Sequence, residues 1–286
     1  MSLSMDSFSV WMRKNLKSAY EGLVTQDIDF VFLSKKKKVF FFVEEKNSLN
    51  AKLRLPQRVI FMLFNEFLIN DLSEWKFLGT DVLYVLEDGT VYFLNDKNEK
   101  VRVNIEDYIV YKLENYKIFK DFQIEEYMLK MLWDCRKKLN YKKTESERSF
   151  YRGSNLKQVM GEDIVSKFDY IGPIHWIFLN YCTGYFIFVE ELTNNSEIRS
   201  DRLEFIDTMN KIFSEAEQYF NSAPKERPKN PKSLAEYKYL GYYLLSFSNT
   251  NPDNSAIIRL NDVEVEKSEL PPLLNLDTDE ILDYAV

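Results

Sequence analysis

The stretch DIDFVFLSKKKKVFFFVEEKN, residues 27–47, decides how this chain is read. Its apolar runs, 27–33 and 39–46, have the length and the β-branched and aromatic content of strands. Lys35 to Lys38 separate them and read as a solvated hairpin turn. Side chains alternate along a strand. Asp27 and Asp29 therefore share one face of the first run, and Glu44 and Lys46 one face of the second, with Glu45 pointing the other way. If the strands pair, Asp29, Glu44 and Lys46 converge at one end of the hairpin. Two carboxylates beside a lysine are costly to bury uncompensated. A divalent cation, which takes hard oxygen ligands, is the natural compensator.

The same stretch is written twice. PIHWIFLNYCTGYFIFVEELT, residues 173–193, aligns with it without a gap. Ile28 meets Ile174, Phe32 meets Phe178, Phe40 meets Phe186, and Glu44–Glu45 meets Glu190–Glu191. Further on, WKFLG (75–79) matches YKYLG (237–241), and FLND (93–96) matches RLND (259–262). Blocks in the same order mark a tandem duplication, which a resemblance between apolar strands alone does not explain. The charged run 134–155 lies between the copies and reads as a linker, or as the end of a helix followed by a linker. The expected organisation is a first domain over 1–140, a linker over 141–155 and a second copy over 156–286.

The periodicity predicts helices at 8–20, 56–69, 105–118 and 122–139 in the first copy, and at 155–167 and 201–220 in the second. Pro56 suits the first turn of its helix. Residues 81–96 read as a hairpin with Asp88–Gly89 at its tip. Strands are expected at 174–180, 185–191, 239–247 and 256–260. This order of elements gives an α/β (α+β) fold in duplicate.

Composition narrows the function. The 286 residues carry a net charge of −7, which argues against a globally basic nucleic-acid coat while leaving room for local basic patches. Two distant cysteines and a single histidine exclude a zinc site of ordinary spacing. Paucity of cysteine fits a reducing cytoplasm. No apolar run reaches the roughly 18 residues a membrane span needs.

An Asp on one strand, Glu-x-Lys on the next and a helix after them resembles the PD-(D/E)XK, restriction-endonuclease-like nuclease superfamily. Here the pattern is Asp29, then Glu44-Glu45-Lys46, then the helix carrying Gln57. The resemblance covers about residues 8–70. It implies two tandem domains, each a mixed sheet flanked by helices. It also implies metal-assisted hydrolysis of nucleic-acid phosphodiesters, with DNA favoured over RNA as the partner. Asp29 and Glu44 would hold Mg2+ or Mn2+, helped by the backbone carbonyl of Glu45. Lys46 would orient the attacking water or offset charge, and Gln57 would position Lys46 or a phosphate. Glu21 is a candidate for an extra acidic residue from the first helix.

The second copy keeps Glu190 and Glu191 but has His175 in the place of Asp29, Leu192 in that of Lys46 and Pro173 in that of Asp27. The Gln57 position falls on Leu203, or on Arg202 with a shift of one. His175 reads better as a packed histidine than as a ligand. The second copy is therefore expected to be non-catalytic, packed as an intramolecular pseudo-dimer or joined with further chains in a homo-oligomer. One site per chain would nick one strand. The alternative is a pseudonuclease that keeps the fold as a nucleic-acid- or protein-binding module.

Overall fold

Two apolar strands with a lysine turn between them do form a hairpin. In the computed structural model β1 (Leu23–Ser34) and β2 (Val39–Lys46) pair antiparallel, from Phe30 opposite Val43 to Ser34 opposite Val39. Lys38, at φ 53°, turns the chain, and its amide donates to the Lys35 carbonyl. The structure describes residues 8, 23–69, 72–115, 122, 124, 154–193, 198–222, 237–247, 258–276 and 280–284.

After β2 the chain crosses through helix α1 (Leu55–Phe67), whose buried stripe includes Val59, Ile60, Leu63 and Phe64. It then enters β3 (Lys76–Val85), parallel to β2. A parallel neighbour requires such a crossover. The strands β4 (Val91–Leu94) and β5 (Lys100–Val103) follow antiparallel, and helix α2 (Ile105–Asn115) follows them. On one face Phe42 packs against Phe64 of α1, with ring centroids 4.9 Å apart. On the other, Phe30, Phe32, Phe41 and Val43 form a core with Ile105 and Ile109 of α2. Each fully buried ring contributes about 1.5–3 kcal/mol by transfer from water.

The second half repeats this plan. β6 (Tyr170–Asn180) and β7 (Tyr185–Thr193) are antiparallel, and Trp176 opposite Val189 repeats Phe30 opposite Val43. Helix α5 (Ser200–Ser222) leads to β8 (Lys238–Phe247), parallel to β7. β9 (Ile258–Leu260) and β10 (Val263–Val265) complete the run. Even an irregularity recurs. The β2–β3 register slips between Phe40 and Phe42, and the β7–β8 register slips between Phe186 and Phe188. Gly79 and Gly241 sit at these slips with φ 98° and 118°, a conformation open to glycine and strained for other residues.

By compactness the chain divides into two units. One, here the first unit, is Asp27–Gln123 with Gly153–Ile174; the second is Met1–Gln26, Ile124–Arg152 and His175–Val286. Each takes a segment from the other half of the sequence. The stretch expected as one helix at 155–167 forms two short ones, α3 (Asn155–Val159) and α4 (Glu162–Val165), broken at Met160–Gly161. Both count with the first unit, whereas sequence alone groups them with the second copy. The expected helix at 122–139, apart from Phe122 and Ile124, and that at 8–20, apart from Phe8, lie outside the described residues. Strands β5 and β10, the helix α6 (Leu270–Asn275) and a 3-10 turn (Glu280–Tyr284) are additions to the expected elements. Cys182 is disulfide-bonded, where a reduced thiol is expected from sequence.

Candidate active site

The β1–β2 register carries Asp29 of β1 to the neighbourhood of Glu44 of β2. The Oδ2 atom of Asp29 accepts a hydrogen bond of 2.7 Å from the Glu45 amide. Lys46, two residues past Glu44 and on the same face, donates from Nζ to Glu44 Oε1 at 2.5 Å. Gln57 arrives from α1. It sits at the third position of that helix, where its Oε1 accepts from the Arg54 amide at 3.0 Å and so closes the helix start. The same side chain accepts from Lys46 Nζ at 3.3 Å and donates from Nε2 to Glu44 Oε1. All four residues singled out as catalytic from sequence, Asp29, Glu44, Lys46 and Gln57, thus meet in one cluster.

The cluster is charged and largely withdrawn from water. Glu44 is 3% exposed. Burial pushes its carboxyl up to about 7, against the pull of Lys46. Burial, then Glu44 and Asp27, push Asp29 well above the usual carboxylate range. Asp27, two residues earlier on the same strand, is raised by burial. Proximity of like charges is an established source of such shifts.

Glu44 Oε1 takes two donors, but Oε2 is buried without a hydrogen-bond partner. An orphaned carboxylate oxygen in a dry site is costly. A hard cation shared with Asp29 would satisfy it, so the donor set fits Mg2+ or Mn2+. Among the described residues no group of three or more His, Cys, Asp or Glu forms a ready metal cage. The rest of the shell would come from water, a backbone carbonyl and substrate oxygens, as is usual for Mg2+.

Glu45 faces away, as strand alternation requires. Its carboxylate accepts from Ser154 Oγ at 2.5 Å and from the Leu156 amide at 3.1 Å. Only its backbone is available to the cluster. Glu21 lies outside the described residues.

The corresponding place in the second unit is closed by an arginine. Arg202, near the start of α5, donates from Nε to Glu190 Oε1 at 2.7 Å and from Nη2 to Glu190 Oε2. Tyr242 hydroxyl donates to Glu190 Oε2 at 3.4 Å, and His175 Nδ1 lies 3.3 Å from the same atom. His175 is 37% exposed, less packed than expected. Leu203, the ungapped match to Gln57, is exposed. Tyr242 gave no signal in the sequence, whereas Arg202 was the residue reached by the shift of one. Glu191 accepts from Trp176 Nε1 at 3.3 Å. An open groove of about 630 Å³ lined by Phe93, Arg102, Tyr108 and Tyr111 lies elsewhere in the first unit and contains none of the cluster. Among the described residues no helix is long and apolar enough to cross a membrane.

These features define a mixed α/β protein with a repeated strand plan and, among the described residues, a carboxylate–lysine–glutamine cluster. The chain is similar to a protein of Archaeoglobus fulgidus described as an uncharacterized protein, with 98% identity over 151 residues, which are 53% of this chain and 98% of the relative. It belongs to the same family as that archaeal protein. No family model matches the chain. No solved structure matches it.

Proposed function

We propose that the first unit is a divalent-cation-dependent phosphodiester hydrolase of the PD-(D/E)XK, restriction-endonuclease-like type, acting on nucleic acid and on DNA in preference to RNA. The second unit is its non-catalytic counterpart. The observation that carries the reading is the buried, unpartnered Oε2 of Glu44 beside Asp29, with Lys46 and Gln57 gathered on Oε1. Asp29 and Glu44 would hold Mg2+ or Mn2+, and the bound ion would polarise the phosphate and make a bound water more acidic. The Lys46 ammonium has three donors, so it can hold Glu44 and still reach an attacking water or a phosphate oxygen. Gln57 fixes the rotamers of both through its tie to the Arg54 amide. The bidentate Arg202–Glu190 pair supports the loss of cation binding in the second unit, and a single site per chain makes a nick in one strand the expected product.

Cleavage of single- and double-stranded DNA and RNA with Mn2+ or Mg2+, beside Glu44→Ala and Lys46→Ala, tests this. Metal-dependent cleavage that vanishes in both variants is the expected result. A second reading keeps the fold as a nucleic-acid- or protein-binding module. It is favoured by the fact that Lys46 and Gln57 already partner Glu44 Oε1 within the protein. No cleavage of any substrate, with no cation bound, would shift the reading to this module and to a search for its binding partners.

A further inference from the structure

The residue between the two site residues of β2 is held from behind. Ser154 Oγ and the Leu156 amide both donate to the Glu45 carboxylate. Asn155 Nδ2 donates to the Val85 carbonyl at the end of β3, at 3.0 Å. The segment then stays on that face. Leu156 and Ile164 are fully buried with Phe30, Phe32 and Phe41, and Phe168 meets Phe32 edge-on at 5.1 Å. The Asp169 amide donates to the Leu33 carbonyl, and Asp169 Oδ2 accepts from the Lys35 amide at 2.6 Å. Residues 154–169 thus stitch the back of β1, β2 and β3. On the site side, the amide of the same Glu45 donates to Asp29 Oδ2.

We propose that this segment is a brace for the active site and that Glu45 is its positioning residue. The proposal rests on the cation-dependent reading given above. Fixing the side chain of residue 45 on the back face fixes the backbone between Glu44 and Lys46. That in turn aims both side chains forward and holds the amide on Asp29. Groups behind the ligands of a metal commonly change its affinity about 10–100-fold when removed. The site in the first copy therefore depends on residues that follow the charged linker.

The test uses the full chain as native protein, Glu45→Ala, Glu45→Gln and Ser154→Ala. Two quantities are measured: hydrogen exchange at the amides of residues 44–46, and Mn2+ affinity by calorimetry. Glu45→Ala should lose roughly tenfold or more of its protection at these amides and about 10–100-fold in Mn2+ affinity, while the amides of Phe32 and Phe41 stay protected. Glu45→Gln keeps an acceptor for the Leu156 amide and should stay within about threefold of native. Ser154→Ala should fall between them, and it decides the question if Glu45→Ala does not fold. Native protection of residues 44–46 in Glu45→Ala and Ser154→Ala overturns the brace, as does a loss spread evenly over β1 and β2. Native protein that binds no Mn2+ overturns the cation reading instead, and the exchange data then still decide the brace.

Discussion

The Arg202 guanidinium forks onto both oxygens of Glu190, whereas the amide of Gln57 reaches a single oxygen of Glu44. That difference separates a filled site from an open one. Two parallel charge-assisted hydrogen bonds leave a carboxylate little capacity for a cation. In the second unit the arginine is the permanent counter-charge.

Arg202→Ala should therefore destabilise the protein strongly. It would leave Glu190, 4% exposed, with only the 3.4 Å Tyr242 hydrogen bond and the His175 ring beside it. Losing one member of a buried pair costs about 3–5 kcal/mol. Urea denaturation should show this loss, and Arg202→Ala, Glu190→Gln together should recover most of it. A change of under about 1 kcal/mol in the single variant would count against the ion pair as a structural element.

Lys46→Ala should separate binding from chemistry. Removing the ammonium takes a positive charge away from Asp29 and Glu44, so Mn2+ should bind as tightly as in the native protein or more so. Cleavage should fall by a factor of 100 or more, the usual scale for losing one electrostatic donor. Calorimetry and single-turnover cleavage on the same preparation give the two numbers. Equal losses in both would assign Lys46 to holding the site together.

Stability without metal should fall as pH rises from about 4.5 to about 7. Glu44 titrates near 7 in the folded protein and near 4.5 when unfolded. Across that window the native state holds the extra proton, so raising the pH favours unfolding. Thermal melts between pH 4.5 and 8 should show the decline. Glu44→Gln should lessen the decline and be the more stable form at pH 8, the remainder coming from Asp27, Asp29 and Glu190, which burial also raises. Mn2+ at about a hundredfold its Kd should add about 2.7 kcal/mol to the native protein, and more at pH 8 than at pH 5, because protons compete for the carboxylates.

Gly79→Ala and Gly241→Ala should each cost about 1–3 kcal/mol, the usual price of a non-glycine residue forced into positive φ. At Gly241 an added Cβ would also come within 3.3 Å of the Tyr243 ring. Matching losses in the two variants, read from denaturant midpoints, would show that the two register slips are equivalent. A neutral result at either would show that the strand pair realigns there.

Much of this was legible in the residues. Strand alternation placed Asp29, Glu44 and Lys46 on one face because one register with a lysine turn satisfies both apolar runs. Gln57 could be placed because Pro56 and the apolar residues after it mark a helix start, on which the family resemblance puts a glutamine. The slips at Gly79 and Gly241 lie within the matched blocks WKFLG and YKYLG, but a glycine there is equally compatible with an ordinary strand end. Arg202 was harder to place. Alignment favoured Leu203, and only packing shows that the leucine points to solvent while its neighbour turns inward. The brace was invisible for a different reason. Local patterning shows that 155–167 is apolar and helical in part, but not which sheet its Leu156 and Ile164 will cover. Long-range partnership of that kind is not encoded in periodicity.

The reciprocal placement of segments has a consequence for inheritance. Phe8 and Leu23, early in the sequence, are core residues alongside Trp176 and Phe178; Leu156 and Ile164, from beyond the linker, are core residues alongside Phe32 and Phe41. A reading frame interrupted between the repeats would yield two polypeptides, each short of part of one hydrophobic interior and carrying a surplus piece of the other.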